Sequence, residues 1–258
     1  MSMGPTGEGI TPTPSGRSPS WSMRYVIRPG HGDDQIITDA HEASLEPVFQ
    51  SEFLRLLRMG HGFVDVGAHV GHWTVRAALA GVRVVAVEPQ PSVLDALREN
   101  CRCNSVQEYV QILPFAAWDS DTNVHLDLPT REEAVGQPPH IYGNVPDNCS
   151  GSVTVVDRPT GIRVPARPLD NLIHGYLLEP LAPGFVKIDV EGSEAHVLRG
   201  MEIILRSFRP HLIIEMHDCY YGQDIADQVA SIMRDMDYGW VSIRQQGCPH
   251  WYMHAMPA

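Results

Sequence analysis

The sequence of 258 residues lacks any apolar run of about 18 residues, the length that a membrane-spanning helix needs. A membrane span is therefore not expected. Positive charge is also scarce, since 19 Lys and Arg residues face 31 Asp and Glu residues and the net charge is −12. Such a charge opposes the neutralisation of phosphates on which nucleic-acid binding depends. We therefore predict no nucleic-acid partner.

Cysteine is scarce as well, and its five copies are an odd number, with Cys101 and Cys103 in a stretch of helical periodicity. This pattern fits neither a secreted disulfide framework nor a paired CxxC zinc site. We expect free thiols and a cytoplasmic location. Residues 1–23 lack the apolar stretch of a signal peptide and are rich in Gly, Pro, Ser and Thr, which predicts a disordered tail.

From Phe63 onward, short β-branched runs alternate with amphipathic stretches, which is typical of βαβ units. Strands are predicted at 62–67, 82–89, 185–192 and 211–218. Residues 109–118 are predicted to hold a further strand and the turn after it, and a final strand pair ends the pattern. Helices are predicted at 73–81, 91–104, 193–207 and 223–236. The expected fold class is α/β, with a mostly parallel seven-stranded sheet flanked by helices in one domain over residues 61–258.

The alternation breaks between residues 119 and 168, where the sequence is polar and rich in Pro and Gly. About fifty residues without helical periodicity are too many for an idle loop, so we predict an insertion that bears a β-hairpin and helps to form a substrate site. The alternative is a surface decoration that covers a sheet edge. Residues 24–60 are expected to form a strand and a helix, at 44–59, that caps the domain.

The most informative motif runs from Asp65 to Gly71, after a buried strand and before a helix. Gly67 and Gly71 let the backbone turn and approach a ligand, while the amides that begin the helix favour an anionic group. A dinucleotide site needs Gly-x-Gly-x-x-Gly, and Ala68 and His69 break that spacing. NAD and a Rossmann oxidoreductase are therefore disfavoured, and Asp65 suits a ligand with a cationic amino group.

A second set of candidate residues follows the next two predicted strands. Glu88, with Pro89, lies about 20 residues after the glycine turn, where a carboxylate can accept both hydroxyls of a ribose. The alternative is a solvated glutamate. Ala117 and Asp119 lie on the same edge and could cover an adenine, with Asp119 accepting from its amine. In the alternative, Trp118 belongs to the core and Asp119 to a turn.

A third set of candidates lies at the ends of two further strands. Asp189 and Glu191 end one strand, and His217 and Asp218 end another, so adjacent parallel strands would bring them together at the ligand-binding edge. Within the first of these strands, Lys187 must be paired if it is buried. We predict an ion pair with Glu215 in the neighbouring strand, in preference to a catalytic lysine.

Six blocks together resemble the FkbM family of S-adenosylmethionine-dependent O-methyltransferases: FVDVGAHVGHWT, VVAVEPQPSVLDALRENCRCN, FAAWD, VPARPLDNL, FVKIDVEGSEAHVLRGM and HLIIEMHD. The resemblance covers about residues 52–218. It implies the class I methyltransferase fold, S-adenosylmethionine as methyl donor, and a hydroxyl of a small molecule, sugar or natural product as acceptor. Where the family often has Gly-Ala-Asn, this chain has Gly67-Ala68-His69.

The resemblance implies that Asp65, Gly67 and Glu88 contact the cofactor. The full predicted cofactor set is Asp65, Gly67, Ala68, His69, Gly71, Glu88, Pro89, Ala117, Asp119 and Asp189. A different class, a non-catalytic protein that binds S-adenosylmethionine or a partner, would retain the same motifs.

Methyl transfer to a hydroxyl also needs alignment of the acceptor and removal of its proton. His217 could act as a general base near neutral pH, oriented by Asp189 or Asp218. Alternatively, Asp189, Glu191, His217 and Asp218 could hold Mg²⁺ or another divalent cation that lowers the pKa of the hydroxyl. We favour the histidine base, with Asp189 and Glu191 as its catalytic neighbours; in a third interpretation, His217 is structural.

Overall fold

The computed structural model describes residues 53–56, 62–127, 154–156, 161–174, 183–217, 224–244 and 251–258. The strands are β1 (Gly62–Val66), β2 (Val84–Val87), β3 (Val110–Leu113), β4 (Ala116–Ala117), β5 (Thr122–Asp127), β6 (Thr154–Val156), β7 (Ile162–Arg167), β8 (Pro183–Ile188), β9 (His211–Met216), β10 (Tyr238–Ile243) and β11 (Trp251–Pro257). The helices are α1 (His72–Leu79), α2 (Pro91–Cys103), α3 (Asn171–His174), α4 (Glu194–Arg199), α5 (Glu202–Phe208) and α6 (Asp224–Asp235).

The main sheet has seven strands in the order β10-β11-β9-β8-β1-β2-β3. Neighbouring strands are parallel, except that β11 runs antiparallel to both β10 and β9. The strand order reverses between β1 and β8, and such a switch point leaves a crevice for ligands in open α/β sheets. The predicted α/β class with a mostly parallel seven-stranded sheet is confirmed.

Helices cover both faces of this sheet because its central strands are apolar on both sides. Every residue of β1 and β2 is buried, as is usual in parallel sheets. Val64 and Val66 belong to the core that β1 shares with α4, α5 and α6, whereas Phe63 belongs to the core shared with α1 and α2. This alternation fixes which way each side chain of β1 points.

Helix α2 follows the sequence pattern closely. Pro91 occupies its first turn, where the fixed φ of proline suits the helix and no N–H is needed. The apolar residues at three-to-four spacing are buried against the sheet: Val93, Leu94, Leu97 and Cys101. The prediction of a helix at 91–104 is confirmed.

The single helix predicted at 193–207 is wrong, because the structure has two helices, α4 and α5, in its place. Gly200 lies between them and packs so closely on the connection after β4 that an added Cβ would lie 1.8 Å from the carbonyl oxygen of Trp118. Asp170 then caps α5, since its two carboxylate oxygens each accept a backbone N–H from the first turn at 2.9 Å. Tertiary contacts therefore override a continuous helical periodicity.

A second sheet has four strands in the order β4-β7-β5-β6. Strand β5 pairs antiparallel with both β6 and β7, and β4 pairs parallel with β7. Its small apolar core contains Ala116, Val124, Leu126, Val164 and Ala166. Strands β5, β6 and β7 lie in the predicted insertion at 119–168, so the antiparallel structure expected there is confirmed in its described part.

Of the helix predicted at 44–59, residues 53–56 are described and are helical. The ring of Phe53 packs edge-on against Trp73 and Phe63, with centroids 4.7 and 5.5 Å away. The predicted tail at 1–23 and the rest of the predicted cap at 24–60 lie outside the described residues. Within the described part of the chain, no helix has the length and apolar character needed to cross a membrane.

We predict that Gly67→Ala destabilises the protein more than Gly81→Ala. Both glycines have left-handed φ values, 79° and 80°, so both substitutions cost about 1 kcal/mol of backbone strain. An added Cβ at Gly67 would also lie 1.8 Å from the carbonyl oxygen of Asp189, whereas the described residues leave open space at Gly81. We expect a total loss of about 3–5 kcal/mol for Gly67→Ala in urea unfolding. Equal losses would contradict the close approach of β1 and β8.

Candidate functional site

A buried ionic network joins β1 and β8 at the switch point. Asp65 and Lys187 are register partners on adjacent strands, and both are buried. Lys187 Nζ donates to Asp189 Oδ2 at 2.9 Å and lies 3.9 Å from Asp65 Oδ1. Thr74 Oγ1 donates to Asp65 Oδ2 at 2.6 Å. Lys187 is paired, as expected of a buried lysine, but the predicted partner is wrong: its ion pairs are with Asp189 and Asp65, and Glu215 contributes an electrostatic attraction.

The charges of this network depend on one another. Burial alone would lower the pKa of Lys187, but attraction by Asp189, Asp65 and Glu215 raises it above its ordinary value. Burial raises the pKa of Asp65, against the opposing effects of Lys187 and Thr74. The lysine therefore stays charged inside the sheet because carboxylates surround it.

The loop between β1 and α1 turns sharply above this network. Gly67 and Gly71 have φ values of 79° and 91°, and His69 between them has a φ of 50°. Among non-glycine residues, Asn, Asp and His are enriched in this left-handed region, which explains how His69 replaces the Asn of the resembling family. The amides of Gly67 and Ala68 donate to the carbonyl of Val87 at 2.9 and 3.1 Å, which holds the loop against the end of β2.

Glu88 joins the loop after β1 to the loop after β2. Its Oε2 accepts the amide of His69 at 2.9 Å, and its Oε1 accepts the amide of Gln90 at 2.7 Å. Burial raises the pKa of Glu88 from 4.5 to about 7, although the two amides oppose this shift. Pro89, which is half-buried, lies in the chain between Glu88 and Gln90. Glu88 is thus a structured, buried carboxylate and not the solvated residue of the alternative interpretation.

The predicted adenine residues lie at the second sheet. Ala117 is in β4 and pairs with Arg167 of β7. Asp119 Oδ2 lies 2.6 Å from His196 Nδ1 of α4, and the ring of Trp118 stacks on His196 at 3.9 Å between centroids. These contacts attach the chain after β3 to α4. The adenine contact of Asp119 stays a prediction, and the bond to His196 is one that the sequence did not indicate.

A second polar cluster lies at the ends of β8 and β9, and it brings His217 together with Asp189 and Glu191, as predicted. His217 Nδ1 lies 2.8 Å from Glu194 Oε1. Its Nε2 faces three other carboxylates, at 3.5 Å from Glu191 Oε2, 3.7 Å from Glu215 Oε1 and 3.8 Å from Asp189 Oδ1. The predicted fourth member, Asp218, lies outside the described residues.

This environment argues against His217 acting alone as a base near neutral pH. Burial would lower its pKa, but the carboxylates that face Nε2 and the bond with Glu194 raise the pKa well above 6.5. Among the described residues, Glu194 contacts Nδ1, whereas Asp189 faces Nε2; the predicted role of Asp218 lies outside the described residues.

Glu194 is the residue of this cluster that sequence reasoning missed. It is fully buried in the first turn of α4, and its Oε1 also accepts the amide of Gly192 at 3.0 Å. Glu191 and Gly192 have left-handed φ values of 52° and 95°, so the chain turns back sharply here. The signal available was a carboxylate three residues after Glu191 at a helix start, where such a side chain can bond the amides of the preceding turn.

Solved structures of methyltransferases share the fold of this chain. The solved structure of the methyltransferase FkbM from Methylobacillus flagellatus KT is 17% identical, with a TM-score of 0.51 over 76% of this chain and 43% of that one. A candidate methyltransferase from Streptococcus mutans in complex with SAH is 14% identical, with a TM-score of 0.48 over 81% and 97%. A candidate O-methyltransferase from Klebsiella pneumoniae is 13% identical, with a TM-score of 0.48 over 88% and 86%. The chain thus spans less than half of the Methylobacillus protein, and its fold is that of the class I methyltransferases.

The sequence model of the methyltransferase FkbM domain matches residues 65–239. This is more than half of the chain, and the chain belongs to the FkbM methyltransferase family. No curated protein matches the sequence. The family membership favours the methyltransferase interpretation over the Rossmann oxidoreductase considered above.

We predict that Glu88 makes stability depend on pH. Its folded pKa of about 7 exceeds the ordinary 4.5, so the folded protein binds this proton more tightly than the unfolded chain does. The stabilisation is complete below pH 4.5 and is lost as pH rises through 7, on the order of 3 kcal/mol in all. The unfolding free energy of the wild type should therefore fall by up to about 3 kcal/mol relative to that of Glu88→Gln between pH 5 and pH 8. Parallel pH profiles for the two proteins would contradict this.

We also predict that Lys187→Met costs about 3–5 kcal/mol, because it leaves buried carboxylates without their cation. The double variant Asp65→Asn with Lys187→Met should recover part of this loss, since it removes a buried charge as well. Arg206→Met is the control, because the Arg206–Glu202 pair is exposed and should contribute less than about 1 kcal/mol. Chemical denaturation measures all three, and a loss in Lys187→Met as small as in the control would refute the network.

Proposed function

We propose that this protein is an S-adenosylmethionine-dependent O-methyltransferase whose acceptor is a hydroxyl of a small molecule, a sugar or a natural product. The observation that carries the proposal is the buried carboxylate of Glu88 beside the Gly67 turn, at the switch point of a methyltransferase-family sheet. In nucleotide-binding α/β sheets this is the position of the acid that bonds a ribose.

The residues present fit such a cofactor. Each oxygen of Glu88 accepts one backbone amide, and a carboxylate oxygen has a second lone-pair position for a ribose hydroxyl. Because Gly67 and Gly71 have no side chain, the left-handed turn packs directly against Asp189 and Leu97, which fixes the backbone beside Glu88. Asp65 is buried beneath the loop, so we assign it the support of Lys187 and Thr74 in place of direct contact with the amino group.

S-adenosylmethionine supplies a methyl group that is already activated as a sulfonium. The chain's own residues must then bind the acceptor hydroxyl in line, exclude water and receive the proton. We assign the acceptor end to the cluster of Asp189, Glu191 and His217, because it lies at the end of β8, next to the Gly67 turn. The half-exposed carboxylates of Asp189 and Glu191 face the same imidazole nitrogen, so a hydroxyl held there has hydrogen-bond acceptors on two sides.

The second sheet is our candidate for binding the rest of the acceptor. The carbonyl oxygen of Leu113, at the end of β3, accepts the amides of both Glu88 and Phe115. The chain therefore passes from the end of β3, beside Glu88, directly into β4. Through β4 the insertion is attached to that edge of the main sheet. Loops carried on a rigid scaffold in this way commonly select the substrate.

The test of cofactor binding is calorimetric titration of S-adenosylmethionine into the wild type, Glu88→Ala and Asp95→Ala. We expect one site per chain, a ten-fold to hundred-fold weaker affinity for Glu88→Ala, and an unchanged affinity for Asp95→Ala, whose side chain is exposed on α2. Equal affinities of all three proteins would overturn the assignment of Glu88.

The test of activity is transfer of labelled methyl groups to a panel of sugars, glycosides and phenols. We expect product from at least one hydroxyl acceptor, and loss of that product in Glu191→Ala, which lies outside the predicted cofactor set, without loss of S-adenosylmethionine binding. Binding with no transfer to any acceptor of the panel would favour the non-catalytic alternative, and methylation of a nitrogen or carbon alone would overturn the O-methyl assignment.

A further inference from the structure

We infer that Asp189, Glu215 and His217 form a divalent-cation site at the carboxyl ends of β8 and β9, with Glu194 as the residue that positions the histidine. The proposal deepens the proposed function, on which the role of the cation rests, although cation binding itself can be tested without it. It differs from the set expected from the sequence, because Glu215 enters as a ligand and Glu194 as an outer carboxylate.

The three side chains lie close enough to share one ion. One ligand atom from each of the three residues lies within 4.8 Å of the others. His217 Nε2 is 3.7 Å from Glu215 Oε1 and 3.8 Å from Asp189 Oδ1, which exceeds the usual N–H···O distance of about 2.7–3.2 Å. Two ligands that each lie about 2.1 Å from one tetrahedral ion are about 3.4 Å apart. The cluster is therefore spaced more like ligands around a shared ion than like direct hydrogen-bond partners.

Neighbouring side chains orient the ligand atoms of His217 and Asp189. Histidines that bind metals usually donate their other ring N–H to a carboxylate, which fixes the tautomer and the ring plane. Here His217 Nδ1 lies within hydrogen-bond distance of Glu194 Oε1, at 2.8 Å. The other ring nitrogen, Nε2, therefore faces the carboxylates of Asp189 and Glu215. Lys187 holds Asp189 through Oδ2 at 2.9 Å, which leaves Oδ1 on the side of His217. Two separate contacts thus aim both atoms at one point.

Charge favours the same position. Four carboxylates face the two ring nitrogens of His217: Asp189, Glu191, Glu194 and Glu215. Lys187 bonds one of them, Asp189. Oε2 of the fully buried Glu194 has no hydrogen-bond partner within the described part of the chain. Buried negative charge in excess is costly, and a divalent cation at Nε2 would offset it.

The site also has an open side. The His217 side chain is 4% exposed and Glu215 12%, but Asp189 is 28% exposed. A cation held by one imidazole and two carboxylates would therefore keep coordination positions toward solvent, as catalytic metal sites do. Mixed nitrogen and oxygen ligands suit Mn²⁺ and Zn²⁺ better than Mg²⁺, which prefers oxygen alone.

In the reaction, the cation would bind the oxygen of the acceptor hydroxyl and lower its pKa. The O–H bond breaks, its electron pair stays on the oxygen, and the proton passes to water or to Glu191, whose Oε2 lies 3.5 Å from Nε2. The oxygen then forms the new bond to the methyl carbon as the bond from carbon to sulfur breaks. No oxidant or reductant is required.

The experiment is calorimetric titration of MnCl₂ and, separately, ZnCl₂ into chelator-treated full-length protein without S-adenosylmethionine. We expect one ion per chain, a loss of at least ten-fold in affinity for Glu215→Gln, and a ten-fold to hundred-fold loss for Glu194→Gln. Asp95→Asn is the matched control, since its exposed carboxylate on α2 should leave the affinity unchanged. Thermal unfolding of each apo variant separates lost ligands from lost folding.

Several results would overturn the site. They are the absence of binding for both ions, or affinities in Glu215→Gln and Glu194→Gln equal to that of the control. Full methyl transfer in excess chelator would overturn the role of the cation in the reaction and leave the proposed function standing. Stoichiometric binding that depends on Glu215, in a protein that transfers no methyl group, would instead support the site and remove the proposed function.

Discussion

The ion pair between Asp65 and Lys187 is the constraint on which the rest of the site depends. The two residues face each other in register on β1 and β8, two strands whose other residues are apolar. Removing either partner would leave an uncompensated charge, so the two strand ends are held together at the point where the strand order reverses. The same lysine fixes Asp189, which connects the buried network to the open cluster.

The crevice above this pair has two chemically different walls. One wall consists of backbone and a single carboxylate. It is formed by the turn at Gly67 and His69 and by Glu88, which accepts the amide of the left-handed His69. The other wall is made of charged side chains around His217, which Glu194 orients from below. Such a division suits a cofactor that needs shape and a few fixed bonds on one side, and an acceptor that must lose a proton on the other.

Errors of the sequence interpretation occurred where a long-range contact decides between locally similar outcomes. The periodicity after Ser193 continues through Gly200, yet the helix stops because Gly200 packs against the chain after β4 and Asp170 caps a new helix. A buried Lys187 needed an anionic partner, and the sequence offered several carboxylates on β8 and its neighbouring strands. Asp189 became that partner because its side chain and the lysine share one side of β8, two residues apart.

The sequence by itself determined the α/β class, the strand and helix order, the glycine turn, Glu88 and the polar ends of β8 and β9. These features depend on local periodicity, on residues that tolerate a left-handed φ, and on the rule that parallel strands end at one edge. Tertiary structure alone decided that Glu194 orients His217, that Asp119 bonds His196 and that Asp65 is buried beneath the loop. Each of these contacts joins residues on different elements, whose relative positions are set by packing and not by spacing along the chain.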